Sequence, residues 1–380
     1  MLAVRGRPPR NEPDRHRLVS TEGIETPVDA PMADAPADDN VLLRVRGLKK
    51  YFPVKQGFLK RTTGQLQAVD GVDLEVRRGE TVGLVGESGC GKSTLGRTLL
   101  RLLEPTAGEI EFDGVDLVSL SPKRMKQMRK HMQIVFQDSV GSLDPRMKVG
   151  DLIAEGLGIH DLASRKERDA IVHDMLERVG MPPEAADRYP HQFSGGQRQR
   201  IGLARALVLQ PKLVVADEPV SALDVSIQSQ VLNLLVDLKQ EFDLTYVFVA
   251  HDLAVVGYIS DRVAVMYLGR IVEIAPSDEL FARPLHPYTM ALLSANPEPI
   301  PGRKSTRIVL KGDVPSPIDP PSGCRFRTRC PIAQPICSEK DPALEDHGDD
   351  HRAACHFPGT PITDAPLTDS PLIGSPPDAA

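Results

Sequence analysis

The fold of this 380-residue chain is decided by the stretch TVGLVGESGCGKST, which covers Thr81–Thr94. Its first five residues, Thr81–Val85, form a short apolar run typical of a buried strand. The glycine-rich loop that follows fits the spacing G-x-x-x-x-G-K-[ST] from Gly86 to Ser93, and a helical pattern then runs over Lys92–Leu103. A strand, a glycine loop and a helix in this order predict an α/β fold with an anion site at the loop.

The residue types of this loop suit a nucleotide phosphate. Glycines let backbone N–H groups turn inward around phosphate oxygens, and the helix adds the positive end of its dipole. Lys92 can neutralise the β- and γ-phosphates, and the Ser93 hydroxyl can ligate Mg²⁺. A glycine-rich turn that binds nothing is the alternative, which the strand–loop–helix context disfavours. The predicted contacts to ATP are Gly86, Glu87, Ser88, Gly89, Cys90, Gly91, Lys92, Ser93 and Thr94.

A second apolar run, Leu213–Ala216, ends in the carboxylates Asp217 and Glu218. In a parallel α/β sheet ligands lie beyond the carboxyl ends of the strands, so this pair is predicted to face the glycine loop. Asp217 is suited to hold Mg²⁺, and Glu218 to act as general base on the attacking water. Taken alone, an Asp-Glu pair after a strand is more often a solvated turn. The phosphate loop upstream reverses that expectation.

Composition excludes several classes of protein. Hydrophobic residues make up 41% and charged residues 26%, as expected for a chain with a packed core. The net charge of −6 gives no electrostatic reason to expect a nucleic-acid partner. No apolar run approaches the length of about 18 residues that a transmembrane helix needs. The arginines near the N-terminus precede no apolar stretch, so no secretory signal is expected and the chain is predicted to stay in the cytoplasm.

The order of patterns along the chain predicts four regions. Residues 1–40 and 358–380 are rich in proline and aspartate, and we expect both to be disordered. Strands alternate with helices over residues 41–274, which predicts a mainly parallel sheet covered on both faces. Residues from about 139 to 200 have mostly helical patterns and are interpreted as an inserted subdomain. Residues 275–357, rich in proline and cysteine, are predicted to form a small C-terminal domain.

The segment Ser194-Gly195-Gly196-Gln197 points to a family. Serine suits the N-cap of a helix, and the two glycines allow close approach of an anion to the backbone. Alone, this is an ordinary capped helix. Here 19 residues separate Gln197 from Asp217, and the segment lies about 100 residues after the phosphate loop. That arrangement resembles the signature motif of ATP-binding-cassette proteins, and the resemblance covers nearly all of residues 41–357.

The resemblance implies roles for further residues. Gln137 is similar to the glutamine of the family's Q-loop, and Asp224 ends a segment similar to the D-loop, Ser221–Asp224. His251 is similar to the switch histidine that contacts the γ-phosphate. Tyr51 is similar to the aromatic residue that stacks on adenine, with Phe52 as the less favoured candidate. The implied fold is a P-loop NTPase core, mainly parallel but with an antiparallel β subdomain.

The resemblance also implies that two subunits pack head to tail around ATP. The serine-led helix of one subunit then closes over the phosphate loop of the other. The residues implied to act in trans are Ser194, Gly195, Gly196, Gln197 and Asp224, and those implied to be catalytic are Glu218, His251 and Gln137.

Several stretches resemble the ATPase subunits of bacterial oligopeptide and dipeptide importers, in particular the second of the two that such importers carry. These are Tyr51–Val54, Gly86–Thr94, Gly96-Arg97, Ala216–Asp224, His286–Thr289 and Gly312–Arg329. This implies ATP-driven peptide import at the cytoplasmic face of the inner membrane. The implied partners are two polytopic permease subunits, a homologous ATPase subunit in a heterodimer and, indirectly, an extracytoplasmic substrate-binding protein. The alternatives are import of nickel, glutathione or another solute, an exporter, or an ATP-binding-cassette protein outside transport.

Four of the five cysteines lie late in the chain with the spacing C-x5-C-x6-C-x17-C, at Cys324, Cys330, Cys337 and Cys355. Four thiolates in a cytosolic, proline-rich segment suit a tetrahedral sulfur site for Zn²⁺ or a [4Fe–4S] cluster. The absence of C-x2-C pairs favours the iron–sulfur cluster, and the resemblance to the importer group points the same way. Four reduced structural thiols are the alternative.

Overall fold

The computed structural model describes residues 40–56, 61–138, 141–295 and 307–362. The disorder predicted for the two ends therefore concerns residues that lie almost entirely outside the described part. The strands are β1 Val41–Gln56, β2 Arg61–Arg77, β3 Thr81–Val85, β4 Ala107–Phe112, β5 Val115–Asp116, β6 Met132–Val135, β7 Leu213–Asp217, β8 Thr245–Val249, β9 Arg262–Tyr267, β10 Arg270–Pro276, β11 Glu345–Asp346 and β12 Arg352–Ala353. The helices are α1 Lys92–Leu99, α2 Pro122–Met128, α3 Val149–Ile159, α4 Arg165–Arg178, α5 Gly195–Leu207, α6 Val225–Phe242, α7 Leu253–Ile259, α8 Ser277–Ala282, α9 Pro287–Ala295 and α10 Ile336–Glu339.

The central sheet has the strand order β11-β12-β10-β9-β3-β8-β7-β6. Its five strands from β9 to β6 are parallel, whereas β10, β11 and β12 pair antiparallel at the other edge. A separate antiparallel sheet has the order β2-β1-β4-β5. The predicted class, an α/β fold with a mainly parallel sheet and an antiparallel β subdomain, is confirmed.

The parallel strands form where the sequence has continuous apolar runs. All residues of β3, β7 and β8 are buried, as expected for strands covered on both faces. In β7 the side chains alternate: Val214 and Ala216 join a core shared with the helical region, and Leu213 and Val215 join a core shared with the antiparallel sheet. The central sheet therefore separates two hydrophobic cores and carries its loops at the strand ends.

The helix predicted after the glycine loop is present but shorter than expected. Helix α1 ends at Leu99 instead of Leu103, because Leu100 leaves helical geometry and Arg101 takes a left-handed conformation with φ of 48°. Helix α6, Val225–Phe242, is a continuous stretch with buried leucines and a valine on one side. The predicted inserted helical region contains α3 and α4, which pack against the start of α5 through buried aliphatic side chains. The helices that the structure describes are all too short or too polar to cross a bilayer.

The C-terminal residues extend the central sheet. Strand β12 pairs with β10 through Glu273 and Ala353, and β11 pairs with β12. Strand β10 crosses the predicted domain boundary at residue 274. The carboxylate of Glu273 is fully buried at this junction and accepts hydrogen bonds from the backbone N–H groups of Leu285 and His286. The division at residue 274 stays a prediction, but the two regions share one sheet.

Candidate nucleotide-binding site

The glycine loop between β3 and α1 has the backbone geometry that its sequence requires. Gly86 and Gly91 take φ of 152° and 109°, which side chains with a Cβ rarely adopt. A Cβ at Gly91 would overlap the carbonyl oxygen of Ala68, and one at Gly86 would overlap that of Met266. Only glycine fits at both positions, so the loop can stay close to the backbone of the neighbouring strands.

Lys92 lies inside this loop. Its side chain is almost completely buried, and its ammonium group donates hydrogen bonds to the carbonyl oxygens of Gly86, at 2.8 Å, and Glu87, at 3.1 Å. A buried ammonium group needs such partners, because an unpaired charge in the interior is costly. The structure therefore places the predicted phosphate-binding cation at the concave side of the loop.

The two residues predicted to bind magnesium contact each other. The Ser93 hydroxyl donates to Asp217 Oδ1 at 2.7 Å, which joins the start of α1 to the end of β7. The Asp217 side chain is 1% exposed, and Arg97 places a guanidinium nitrogen 3.3 Å from its second oxygen. A hydroxyl and a carboxylate are oxygen ligands of the kind that Mg²⁺ prefers.

The three residues predicted to be catalytic also converge. Gln137 follows β6, Glu218 follows β7 and His251 follows β8, so all three lie at the carboxyl edge of neighbouring parallel strands. The Gln137 amide donates to Glu218 Oε2 at 2.8 Å, and His251 Nδ1 lies 3.7 Å from the same oxygen. Glu218 itself has φ of 47°, and its N–H donates to Val249 O. A non-glycine residue in this conformation costs about 1–2 kcal/mol, which is typical of functional positions.

Tyr51 lies on β1 with its ring partly exposed, as the predicted contact with adenine requires. Its hydroxyl donates to the buried carboxylate of Asp70. Burial and this hydrogen bond raise the pKa of Tyr51 to about 12. Burial opposes ionisation of Asp70, but hydrogen bonds from Tyr51 and Arg270 and the charge of Arg325 outweigh it and hold the Asp70 pKa below its usual value. Tyr51 is thus fixed by a charged network beneath it.

The serine-led segment caps α5 in the predicted way. The Ser194 hydroxyl accepts the N–H of Gln197 at 3.3 Å, and the Gln197 side chain accepts the N–H of Ser194 at 3.0 Å. Both side chains are exposed. Gly196 approaches Ile227 on α6 so closely that a Cβ would force that side chain to move. Asp224 is the N-cap residue of α6. A role of this surface toward another subunit's nucleotide stays a prediction.

Three residues that the sequence reading left without a role contact the candidate site. Arg329 binds the carboxylate of Glu87 with two hydrogen bonds, and the Tyr288 hydroxyl accepts the N–H of Glu87 at 2.8 Å. Arg325 binds Asp70. Patterns near these residues were visible in the chain, namely His286–Thr289 and the arginines beside the cysteines, but nothing local in the sequence identifies their distant partners.

The four late cysteines lie in one neighbourhood without the arrangement of a metal centre. Burial raises the pKa of Cys330 to about 12 and that of Cys355 to about 11, and it raises the Cys324 pKa as well, so these thiols are neutral at pH 7. The backbone carbonyl of Cys337 accepts a hydrogen bond from the N–H of Cys324. In the described ranges no three His, Cys, Asp or Glu residues are grouped so as to hold a metal ion. The predicted cluster or zinc site therefore has no support from the geometry.

Comparison with known proteins places these features in a family. Residues 69–221 match the family model described as ABC transporter, and residues 272–337 match the model described as oligopeptide/dipeptide transporter, C-terminal region. The oligopeptide transport ATP-binding protein AppF of Bacillus subtilis is 53% identical over 324 residues, which are 84% of this chain and 98% of AppF. A relative in Brucella ovis named for peptide import is 55% identical over 314 residues, 83% of this chain and 97% of its own length.

Solved structures agree. The chain resembles cbiO1 of Clostridium perfringens, part of the transporter complex cbiONQ, with a TM-score of 0.55 and 29% identity over 64% of this chain and 91% of cbiO1. It resembles the ATP-binding cassette MJ0796, solved as a dimer bound to ADP and Pi, with a TM-score of 0.55 and 27% identity over 62% of this chain and 99% of MJ0796. These relatives are matched over nearly their whole length, and the matched region contains the glycine loop and the Asp217–Glu218 pair. The chain therefore belongs to the ABC transporter family of ATP-binding proteins.

Proposed function

We propose that this chain hydrolyses ATP to drive import of di- and oligopeptides through a membrane transporter. The observation that carries the proposal is the convergence of Ser93, Asp217, Gln137, Glu218 and His251 at one edge of the parallel sheet. The match of residues 272–337 to the oligopeptide/dipeptide transporter C-terminal region, and the names of the relatives, support peptides as the cargo.

ATP binding is assigned to the residues around the glycine loop. Tyr51 stacks on adenine, N–H groups of Gly86–Thr94 other than that of Glu87 surround the phosphates, and Lys92 exchanges its carbonyl partners for phosphate oxygens. This exchange is favourable because a charged acceptor forms the stronger hydrogen bond with an ammonium group. Ser93 and Asp217 would hold Mg²⁺, since Mg²⁺ is usually bound by one or two protein oxygens together with phosphates and water. When bound, Mg²⁺ neutralises the charge on the β- and γ-phosphates.

Hydrolysis is assigned to the group around Glu218. Its carboxylate accepts a proton from the attacking water, and the Gln137 amide, 2.8 Å from Oε2, holds that carboxylate in one orientation. His251 is more than half exposed, with Nδ1 3.7 Å from Glu218 Oε2, and from there it can donate to the γ-phosphate. The strained backbone of Glu218 fixes the carboxylate before ATP arrives, so that little ordering remains to be done in the reaction.

The second half of the site is assigned to another subunit. Ser194, Gly195, Gly196 and Gln197 cover the γ-phosphate bound by a neighbouring ATPase subunit, and Asp224 contacts the same interface. The exposed start of α5 supports this assignment, since the N-terminus of a helix attracts anions. A homologous ATPase is the proposed neighbour, in a heterodimer at the cytoplasmic face of the inner membrane. Two polytopic permease subunits and an extracytoplasmic substrate-binding protein complete the proposed transporter. We propose no nucleic-acid partner.

The ATPase assignment is tested with Glu218→Gln in the assembled transporter. The amide keeps the shape of the side chain but cannot accept the proton, so ATP binding should persist while turnover falls at least about 100-fold. The matched control is Asp237→Asn, an equally small change at an exposed position of α6 that should leave turnover intact. If Glu218→Gln hydrolyses ATP at the normal rate, Glu218 is not the general base.

The cargo is tested by uptake into proteoliposomes that contain the whole transporter and its binding protein. ATP-dependent uptake of labelled di- and tripeptides supports the proposal. Uptake of nickel or glutathione, without uptake of peptides, would replace the peptide assignment with that of a related importer and leave the ATPase assignment intact.

We further propose that residues 275–357 act as a small domain whose four cysteines bind a [4Fe–4S] cluster, with Zn²⁺ as the alternative. The support is the set of four sulfur donors in one short region, two of which are joined by the hydrogen bond from the Cys324 N–H to the Cys337 carbonyl. Binding would require the thiols to lose their protons and move to ligand spacing. Protein purified without oxygen should contain iron and sulfide and absorb visible light. Zinc without iron would select the alternative, and a metal-free preparation would refute both.

A further inference from the structure

A seven-residue segment joins the C-terminal region to both ends of the nucleotide site. It runs over residues 324–330, from the first to the second of the late cysteines, and we call it the cysteine segment. Two of its three arginines, Arg325 and Arg329, point into the protein, with side chains 6% and 10% exposed. Each contacts a different part of the site.

Arg329 holds the glycine loop. Its two terminal nitrogens donate to the two carboxylate oxygens of Glu87, at 2.8 and 3.1 Å. This planar, two-pronged geometry is the strongest form of an arginine–carboxylate pair, and it fixes orientation as well as distance. Glu87 is the second residue of the loop, so its negative charge lies beside the place where the phosphates of ATP bind. Arg329 compensates that charge.

A second contact holds the backbone of the same residue. The Glu87 N–H donates to the Tyr288 hydroxyl at 2.8 Å. The Tyr288 ring is completely buried and packs against Phe326 of the cysteine segment, with centroids 5.4 Å apart, and against Tyr267 at 4.7 Å. The cysteine segment is therefore joined to the loop through closely packed rings that leave little room for independent adjustment.

Arg325 holds the other end of the site. It donates to the Asp70 carboxylate, to the carbonyl of Leu268 and, at 2.7 Å, to Gln67 Oε1. Asp70 in turn accepts the hydroxyl of Tyr51, the residue assigned to adenine. The orientation of the Tyr51 ring therefore depends on a carboxylate that Arg325 of the cysteine segment holds in place together with Arg270.

We propose that Arg325 and Arg329 are positioning residues for ATP, so that the cysteine segment sets nucleotide affinity through Tyr51 and Glu87. The inference rests on the proposed ATP-binding role of these two residues. Arg329 acts on the phosphate side by compensating Glu87 and holding the loop. Arg325 acts on the adenine side by fixing Asp70 under Tyr51. A change in the geometry of the cysteine segment, from whatever cause, alters both ends of the site together.

The phosphate arm is tested by equilibrium binding of ATP to the full-length chain carrying Glu218→Gln, so that nothing is hydrolysed. Arg329→Gln should weaken ATP binding roughly tenfold, because the Glu87 charge is left uncompensated beside the phosphates. Adding Glu87→Gln should restore most of that loss. The control is Arg327→Gln in the same segment, whose guanidinium donates to Ser322 O and contacts neither Glu87 nor Asp70. Affinity should be unchanged there.

The adenine arm uses a second ligand, inorganic tripolyphosphate, which has no base to stack. Arg325→Gln should weaken ATP binding and leave tripolyphosphate binding unchanged, whereas Arg329→Gln should weaken both. Since Arg325 is buried, Arg325→Lys serves as a milder variant, and it should recover part of the ATP affinity. On the phosphate arm, Tyr288→Phe removes the hydroxyl that accepts the Glu87 N–H. It should weaken tripolyphosphate binding without loss of core packing.

The outcomes separate this inference from the proposed function. If the unaltered chain binds no ATP, the proposed function fails. If it binds ATP and Arg329→Gln binds equally well, or if Glu87→Gln does not restore the loss, then Arg329 does not position the loop. Equal weakening of ATP and tripolyphosphate by Arg325→Gln would refute the adenine arm.

Discussion

The buried carboxylate of Glu273 offers the sharpest test of how the C-terminal region is attached. Glu273 lies on β10 and is 0% exposed. It accepts hydrogen bonds from the N–H of Leu285 at 2.6 Å and from the N–H of His286 at 3.0 Å. Its oxygen Oε1 also lies 2.7 Å from His351 Nε2, one residue before β12. One carboxylate thus joins the sheet to the start of α9 and to the last strand of the chain.

The expected cost of Glu273→Leu follows from these partners. Leucine fills a similar volume but accepts no hydrogen bond, so two backbone N–H groups and a histidine nitrogen stay buried without a partner. A buried donor left without an acceptor costs about 1–3 kcal/mol. These effects overlap at one site, and we expect the free energy of unfolding to fall by about 4 kcal/mol.

The assay is urea unfolding followed by circular dichroism, since the chain has no tryptophan to report by fluorescence. The control is Glu345→Leu on β11, an exposed position of the same sheet, where we expect a change within about 0.5 kcal/mol. Because α9 carries Tyr288 to the glycine loop, Glu273→Leu should also weaken ATP binding. A loss of stability below about 1 kcal/mol would show that Glu273 does not carry the junction.

Three further changes have defined outcomes. Gly91→Ala should abolish ATP binding measured by titration, because its Cβ overlaps the backbone of Ala68, whereas Gly89→Ala meets no neighbour and should lose less. Burial lowers the pKa of His286 to about 4, so the unfolded chain binds a proton at a higher pH than the folded chain. The contribution of neutral His286 to the free energy of unfolding should be fully present above about pH 6.5 and fall by about 3 kcal/mol towards pH 4. A urea midpoint that does not change over that range would contradict this. Ser194→Ala should cost about 1 kcal/mol in the capping of α5 and should lower ATPase turnover of the assembled transporter, with unchanged turnover speaking against its role in trans.

The sequence predicted the central strands and the site at their ends because that information is local. Continuous apolar runs such as Thr81–Val85 can only be buried strands in an alternating α/β chain, and the loop spacing from Gly86 to Ser93 specifies its own backbone. The strand that ends at Asp217 was identified for the same reason. Helix α1 was predicted four residues too long, because its residue types do not indicate that Arg101 has a left-handed backbone conformation.

The contacts of the C-terminal region were beyond sequence reasoning because they are long-range. Arg329 and Glu87 are separated by 242 positions, and Tyr288 and Glu87 by 201. In the structure Arg329 binds Glu87 and Arg325 binds Asp70. A charged side chain in a segment with little regular structure has many possible partners, and only the tertiary fold selects one.

The capping of α5 supplies a physical reason to expect a second subunit. The Ser194 hydroxyl oxygen accepts the N–H of Gln197, which leaves the proton of that hydroxyl to be donated outward. The start of α5 is exposed, and it combines this outward donor with two glycines. Such a helix N-terminus is suited to bind an anion. The anion that the proposed function supplies is the γ-phosphate of ATP on a neighbouring chain. ATP affinity of Glu218→Gln protein should therefore rise when the homologous ATPase subunit is added. The same protein with Ser194→Ala in both subunits' serine-led segments should lose that dependence, without altered binding to the single chain.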